Sequence, residues 1–149
     1  GNISVTNCTF NNMSYRASYN PKTFSVLYLF YSVANVSVEG CSFTNNIGVS
    51  ALTIRSDDLD LSSSTVDKCT FTGNRAMAVN TMIGIHNCGT VSVTNSKFAE
   101  NSGRGILHVT GTKNFDLLNC DIANNTPRRA VMIMRNCTSI IMNNLNVVN

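Results

Sequence analysis

The chain has 149 residues, of which 43% are hydrophobic and 13% charged, and its formal net charge is +3. This composition fits one domain with a buried core and excludes a disordered charged tail, and so small and scattered a charge does not favour nucleic-acid binding. No run of eighteen apolar residues occurs, so no membrane-spanning helix is predicted.

One strand pattern repeats along the whole chain. In the first copy Ile3 and Val5 alternate with polar residues, and apolar positions resume at Cys8 and Phe10 after a two-residue corner. This is the period of a β-strand that is bent once. The six copies cover residues 3–10, 36–43, 64–71, 91–98, 115–122 and 140–147. The chain also contains 22 Asn but only 2 Pro, and Asn favours turns over helices.

Two columns of residues mark corners between the strands. The first column is Asn7, Gly40, Lys68, Asn95, Asn119 and Asn144. Asn and Gly at one position indicate a backbone with positive φ, so we expect Lys68 to be strained or differently turned. The second column lies three residues after the aromatic column Phe10, Phe43, Phe71 and Phe98. It comprises Asn46, Asn74, Asn101 and Asn125, with Met13 in the first copy, and it predicts an asparagine ladder at a second corner.

A third apolar stretch follows the second corner in four copies. It covers residues 27–30, 51–54, 105–109 and 130–133. Three short strands per repeat and no helical period predict a parallel β-helix of about six coils that occupies residues 1–149 as a single segment. Neither end of the repeat carries a polar cap, so we expect further solenoid coils or an end-to-end assembly.

The tetrapeptides after the first corner resemble those of a known superfamily. Three of them are Phe43-Thr-Asn-Asn46, Phe71-Thr-Gly-Asn74 and Phe98-Ala-Glu-Asn101, and pairs such as Gly105-Ile106 and Ala130-Val131 follow. These resemble the right-handed parallel β-helix repeats of the pectate-lyase-like superfamily, and especially those of polymorphic outer-membrane-protein adhesins. The second adhesin motif, Gly-Gly-Ala-aliphatic, is absent. The resemblance implies an all-β, right-handed β-helix, a scaffold that carries enzymes, adhesins and structural spikes alike.

The cysteines fall into two columns. Cys8, Cys41, Cys69 and Cys120 share an inward column that Ser96 and Leu145 complete, and Cys88 and Cys137 share another that Thr112 interrupts. Coils are about 4.8 Å apart, so cysteines two coils apart are too distant for a disulfide. We expect a reduced apolar stack, with one bridge, Cys8–Cys41 or Cys41–Cys69, as the alternative. No Cys-x-x-Cys occurs and the two histidines, His86 and His108, fall in different columns, so we expect no zinc site.

Two charged groups are candidate sites. Asp57, Asp58 and Asp60 follow the third strand of the second copy and form a weak calcium candidate, with a solvated acidic turn as the alternative. Arg104 and Arg128 lie three residues after their ladder asparagines in adjacent copies, so we expect them to lie close together, with Arg129 beside them and Arg75 one coil away. Such a cluster favours a sulfated or acidic glycan, or an acidic partner. The alternative is that these arginines keep a sheet edge soluble.

Two further patterns suggest an extracellular surface. Tyr28 and Phe30 fit the outward phase of their strand. There they would stack on sugar rings or cover a neighbouring chain, unless the insertion at residues 14–23, with Tyr15 and Tyr19, folds over them. We favour that cover. Asn-x-Ser/Thr sequons indicate a secreted glycoprotein, although an Asn-rich repeat also generates such motifs. The sequons begin at Asn2, Asn7, Asn12, Asn35, Asn124 and Asn136.

These patterns favour a secreted or cell-surface structural or adhesive module that contacts glycans or other surface proteins. The first residues lack the regions of a signal peptide, so we interpret the chain as a mature protein or an excised fragment. One alternative is a polysaccharide lyase or glycoside hydrolase that uses Asp57, Asp58, Arg104 or Arg128, and another is a filament protomer. The two histidines are not expected to share a face, so no Ser/His/Asp triad is assigned. No catalytic residue and no cofactor are predicted.

Overall fold

The computed structural model describes residues 1–15, 25–31, 35–57, 62–77 and 80–148. In this part the chain is all-β, and its 17 strands form three parallel sheets of six, six and five strands. Successive strands visit the three sheets in turn, so the chain completes five coils and begins a sixth. The predicted parallel solenoid with three strands per coil is therefore confirmed. None of the described residues belongs to a helix long and apolar enough to cross a membrane.

We name the sheets A, B and C in the order in which each coil visits them. Sheet A contains β1 (Asn2–Thr6), β4 (Asn35–Glu39), β7 (Ser63–Asp67), β10 (Thr90–Thr94), β13 (Asn114–Leu118) and β16 (Ser139–Asn143). Sheet B contains β2 (Thr9–Asn11), β5 (Ser42–Thr44), β8 (Thr70–Thr72), β11 (Lys97–Ala99), β14 (Asp121–Ala123) and β17 (Asn146–Val148). Sheet C contains β3 (Ser25–Tyr31), β6 (Ser50–Ser56), β9 (Ile83–His86), β12 (Ser102–Thr110) and β15 (Thr126–Arg135).

The register between coils matches the sequence repeat residue for residue in sheet A. Ile3 pairs with Val36, and the same column continues through the remaining copies. In sheet C the strands are longer than predicted, and β9 was missed because its four residues contain only two inward apolar positions, Ile83 and Ile85. That residues 1–149 are one segment of a longer solenoid stays a prediction.

Aromatic rings stack along the interior of sheet B. The rings of Phe10, Phe43, Phe71 and Phe98 lie parallel, with successive centroids 4.7, 4.8 and 5.1 Å apart. Phe43 and Phe71 are completely buried. Burial of one such side chain contributes roughly 2–3 kcal/mol, so the column is a major part of the hydrophobic core.

All three corners use a residue in the left-handed conformation. The first-corner column has positive φ in every copy, including Lys68 at 51°, so Lys68 adopts the same turn as the asparagines rather than a different one. The second and third corners have equivalent columns that the sequence analysis missed. These are Asn12, Asn45, Gly73, Glu100 and Asn124 at the second corner, and Asn87, Gly111 and Asn136 at the third.

Except for Met13 in the first coil, which is 47% exposed, the residue after each left-handed corner position is buried or packs against the core, and at the second corner it is the ladder asparagine. Asn74 Nδ2 donates to Asn101 Oδ1 at 2.9 Å and to the Phe43 carbonyl at 2.9 Å. Its Oδ1 accepts from the backbone N–H of Asn46 at 3.1 Å and from Asn46 Nδ2 at 2.9 Å. The predicted ladder is therefore present, and the same bonds connect it from Met13 to Asn125.

At the first and third corners the inward residue is usually cysteine. All six thiols are free, and each Sγ donates to the carbonyl two residues earlier, over distances of 3.3 to 3.5 Å. Ser96 makes the same contact with the Thr94 carbonyl at 2.8 Å. The two cysteine columns therefore have one structural role, which is to satisfy a carbonyl at a corner with a small, mostly apolar side chain.

Replacing Asn74 by Ala should strongly destabilise the fold. The change removes four hydrogen bonds, and it takes away the buried oxygen that accepts from both the backbone N–H and the side-chain amide of Asn46. We expect the free energy of unfolding in urea to fall by about 3–5 kcal/mol. The exposed Asn11 on β2 gives a matched control, since Asn11→Ala should change stability by less than about 0.5 kcal/mol. Similar effects of the two substitutions would contradict the ladder's role.

Alkylation of the native protein should divide the thiols into two classes. Cys8 and Cys137 are half-buried and should react first with iodoacetamide at pH 8, whereas the other four are buried. Burial raises the pKa of Cys69 to about 11 and also raises the pKa of Cys120, so little reactive thiolate forms at these sites. Peptide mass spectrometry before and after unfolding measures the order, and early labelling of Cys69 would contradict it.

Candidate functional site

Positive charge is concentrated in sheet C. Of the 11 Lys and Arg residues, five are arginines in the strands of this sheet, and none of the 8 Asp and Glu residues lies in those strands. The five arginines are Arg55, Arg104, Arg128, Arg129 and Arg135. By contrast, strands of sheets A and B carry Glu39, Asp67, Asp116 and Asp121. The outer face of sheet C is therefore a cationic surface.

A register shift brings three arginines together. Gly103 pairs with Pro127 and Gly105 pairs with Ala130, so Arg104 lies opposite both Arg128 and Arg129. This pairing sets the backbones of the three arginines close together, as the sequence predicted. That their side chains contact a ligand stays a prediction. Arg75 does not join them, because it pairs with Ser102, two residues before Arg104.

Small residues allow the tight packing beside Arg104. A Cβ atom at Gly105 would lie 3.1 Å from the Ala130 carbonyl oxygen, and one at Gly103 would lie 3.0 Å from the Cβ of Ala76. Both glycines are buried, while Arg104 is half-buried. The Gly-Arg-Gly sequence is thus a packing feature of β12 that holds the arginine at the outer face.

A cleft of about 180 Å³ lies beside Arg104 on the outer face of sheet C. Its lining residues are Ser50, Thr53, Asn80, Thr81, Gly84, His86, Arg104 and His108. Asn80 and Thr81 form part of the wall, and each is only 7% exposed. The cleft therefore combines buried polar side chains with a cation, and the sequence analysis did not identify it.

The two histidines meet in this cleft, so the expectation that they do not share a face was wrong. His108 is level with Gly84, and His86 is level with Thr110, so they occupy different columns of neighbouring strands, as predicted. Their rings nevertheless pack edge to face, with centroids 5.5 Å apart. Gly84 permits this diagonal contact, since a Cβ there would lie 2.8 Å from His86 Nε2.

Both imidazoles are neutral near pH 7. The pKa of His86 is lowered to about 4, mainly by burial and also by the charges of His108 and Arg55. Burial also lowers the pKa of His108, with contributions from Arg104 and Arg135. Within the described part of the chain, His108 Nε2 is buried without a hydrogen-bond partner. The positive charge of the cleft therefore comes from arginine, and one buried polar atom of histidine is unsatisfied.

The candidate aromatic residues lie on the same face of sheet C, in the edge strand β3. Tyr28 and Phe30 of β3 are 44% and 52% exposed, as their outward phase predicted. The Arg55 guanidinium lies 5.8 Å from the centre of the Phe30 ring, within cation–π range. Sheet C thus carries the aromatic and arginine candidates, which the sequence analysis treated separately, on a single surface.

The insertion that was predicted to fold over Tyr28 and Phe30 lies mainly outside the described residues. Tyr19 and most of the insertion at residues 14–23 lie in the range 16–24, which the structure does not describe. Tyr15, at the start of the insertion, is 42% exposed.

The acidic candidate is only partly described. Asp57 is exposed just after β6, and Asp58 and Asp60 lie outside the described residues. In the ranges that the structure covers, no three His, Cys, Asp or Glu side chains are grouped closely enough to hold a metal ion. The calcium hypothesis stays a prediction.

The glycosylation candidates are all accessible. All six sequon asparagines are exposed, and four of them occupy left-handed corner positions. The four corner residues are Asn7, Asn12, Asn124 and Asn136. Their side chains lie at the surface of the solenoid, where a glycan would not disturb the core, and their modification stays a prediction.

Comparison with known families identifies the fold type. A scan against protein-family models matches residues 1–149, the whole chain, to the model described as right handed beta helix region. A search of curated proteins and a search of solved structures each found no match.

The stability of the protein should decrease as the pH falls from 7 to 5. His86 takes up a proton near pH 6.5 in the unfolded chain but only near pH 4 in the folded one, so the unfolded chain binds more protons in this range. The resulting loss from His86 is about 2 kcal/mol in the free energy of unfolding at pH 5. Urea denaturation of the wild type and of His86→Gln at both pH values measures it. An equal pH dependence in the two proteins would contradict the assignment to His86.

Proposed function

The chain belongs to the right-handed β-helix family, and from this premise we propose that it is a surface module that binds an acidic glycan on the outer face of sheet C. The observation that carries the proposal is the separation of charge, with five arginines and no carboxylates in the strands of that sheet. A rigid, flat face of one charge sign is suited to a repeating anionic polymer.

The side chains of this face match the chemistry of an acidic sugar chain. Guanidinium groups bind sulfate and carboxylate through paired hydrogen bonds, and Arg128 and Arg129 are exposed for such contacts. Tyr28 and Phe30 offer apolar ring faces on which sugar rings stack. Five strands spaced by about 4.8 Å span about 19 Å between β3 and β15, enough for several sugar units.

Two sequence features favour an extracellular position, which fits the same function. Six exposed sequon asparagines fit passage through a glycosylating pathway, and the tetrapeptide repeats resemble those of surface adhesins. We accordingly propose a secreted or cell-surface location, where acidic glycans and other surface proteins are the available partners.

The enzyme alternative has less support from this face. Hydrolysis by a β-helix enzyme of the kind considered above needs carboxylates that converge on the bound sugar. Asp57 directly follows the last residue of β6, whereas Arg104 and Arg128 lie in strands that contain no Asp or Glu. The arrangement favours binding over cleavage.

The double substitution Arg128→Gln/Arg129→Gln tests the proposal. Binding to immobilised heparin, a sulfated glycan, should weaken about five- to tenfold at 0.15 M salt, since two exposed ionic contacts are removed. Surface plasmon resonance measures the dissociation constants.

Lys97→Gln/Lys113→Gln provides the matched control, because it removes the same charge outside the strands of sheet C. This control should weaken heparin binding by less than about twofold. An equal loss in both double variants would mean unspecific attraction. Equally tight binding of double-stranded DNA would also overturn a glycan-specific face.

A further inference from the structure

The cleft at His86 and His108 has features of a binding pocket that the exposed arginines do not share. It is a concave site on an otherwise flat face, and it is lined by polar groups from β6, β9 and β12 and from the segment before β9. From this geometry we infer that the cleft binds one compact oxyanion, the sulfate or carboxylate group of a single sugar, beside Arg104. The inference rests on the proposed glycan function and adds a specific subsite to it.

Arg104 is positioned to provide the charge. Its backbone N–H donates to the Asn80 carbonyl at 2.9 Å, which fixes the strand against the cleft wall. The side chain is half-buried, so its guanidinium is less screened by water than those of the exposed Arg128 and Arg129. An anion in the cleft would therefore gain more from Arg104 than from either exposed arginine.

Neutral polar groups surround the space beside Arg104. The side chains of Asn80 and Thr81 are nearly buried in the wall, and His108 Nε2 is a buried polar atom without a partner among the described residues. Leaving such a buried atom without a hydrogen bond is unfavourable, and a bound oxyanion would accept a hydrogen bond from it. The absence of a side chain at Gly84 keeps the floor of the cleft open.

The charges that face the histidines all favour anion binding. Arg55 of β6 acts on His86, and Arg104 of β12 and Arg135 of β15 act on His108. No Asp or Glu lies in the strands that carry these groups. A bound anion would offset the repulsion between imidazolium and guanidinium, so it should raise the pKa of both histidines.

Proton NMR of the full chain tests this inference directly. The protein has only 2 His residues and both line the cleft, so the imidazole signals report on this site alone. His86→Gln and His108→Gln assign the two signals. Titration with inorganic sulfate and with glucuronate, at constant ionic strength set with sodium chloride, should shift them saturably and raise both titration midpoints. The anion with the lower dissociation constant identifies the preferred group.

Arg104→Gln tests the cation of the cleft. It should weaken anion binding about tenfold or more, whereas Lys97→Gln/Lys113→Gln, which removes charge outside the strands of sheet C, should leave anion binding within about twofold. Gly84→Ala supplies a second test, since its methyl group would press on His86 Nε2 and narrow the cleft. Signals that do not move with either anion, or that move equally in every variant, would overturn the inference.

The result is separable from that of the proposed function. Heparin binding that depends on Arg128 and Arg129, with no change in the imidazole signals, would support the glycan face and overturn the cleft subsite. Saturable shifts with sulfate or glucuronate, without heparin binding, would support the cleft and overturn the wider glycan face.

Discussion

The structure depends on one constraint, which is that each coil must lie on the next in exact residue register. Backbone hydrogen bonds between parallel strands alone allow a coil to slip, because every peptide unit offers the same donor and acceptor. The buried asparagine amides remove this freedom. Asn74 bonds to the backbone or side chain of residues in the coils on both sides, so a slip of one residue would leave buried polar groups unpaired.

The same constraint explains why so much of the fold follows from the sequence. A fixed register makes equivalent positions face equivalent surroundings, so the columns of Phe43 and Asn46 repeat their chemistry and reveal the coil. Residues that differ from the rest of their column give no such signal. Glu100 at a left-handed corner carries no signature of that conformation, and the column to which it belongs went unnoticed because the more regular ladder of Asn101 stands beside it.

The cleft was missed for a different physical reason. Residues of one sequence column lie at the same level of successive strands, whereas His86 and His108 lie at different levels. Their contact is diagonal and depends on the missing side chain of Gly84 between them. Likewise, the charge separation is visible only after each arginine has been assigned to its sheet, and β9 was not among the predicted strands. Irregular positions therefore hold most of the candidate chemistry.

This division of roles follows from the geometry of a solenoid. Inward positions must fit both neighbouring coils, so they accept few residue types, as the replacement of cysteine by Ser96 with the same carbonyl contact illustrates. Most outward positions face water and can change without disturbing the stack. Sheet A uses this freedom for hydroxyl side chains such as Ser37, Thr65 and Ser92, whereas sheet C uses it for arginine, histidine and aromatic residues. A rigid interior thus holds the backbone of these cationic residues at fixed spacing, and such preorganisation would reduce the entropy that binding of an anionic ligand must overcome.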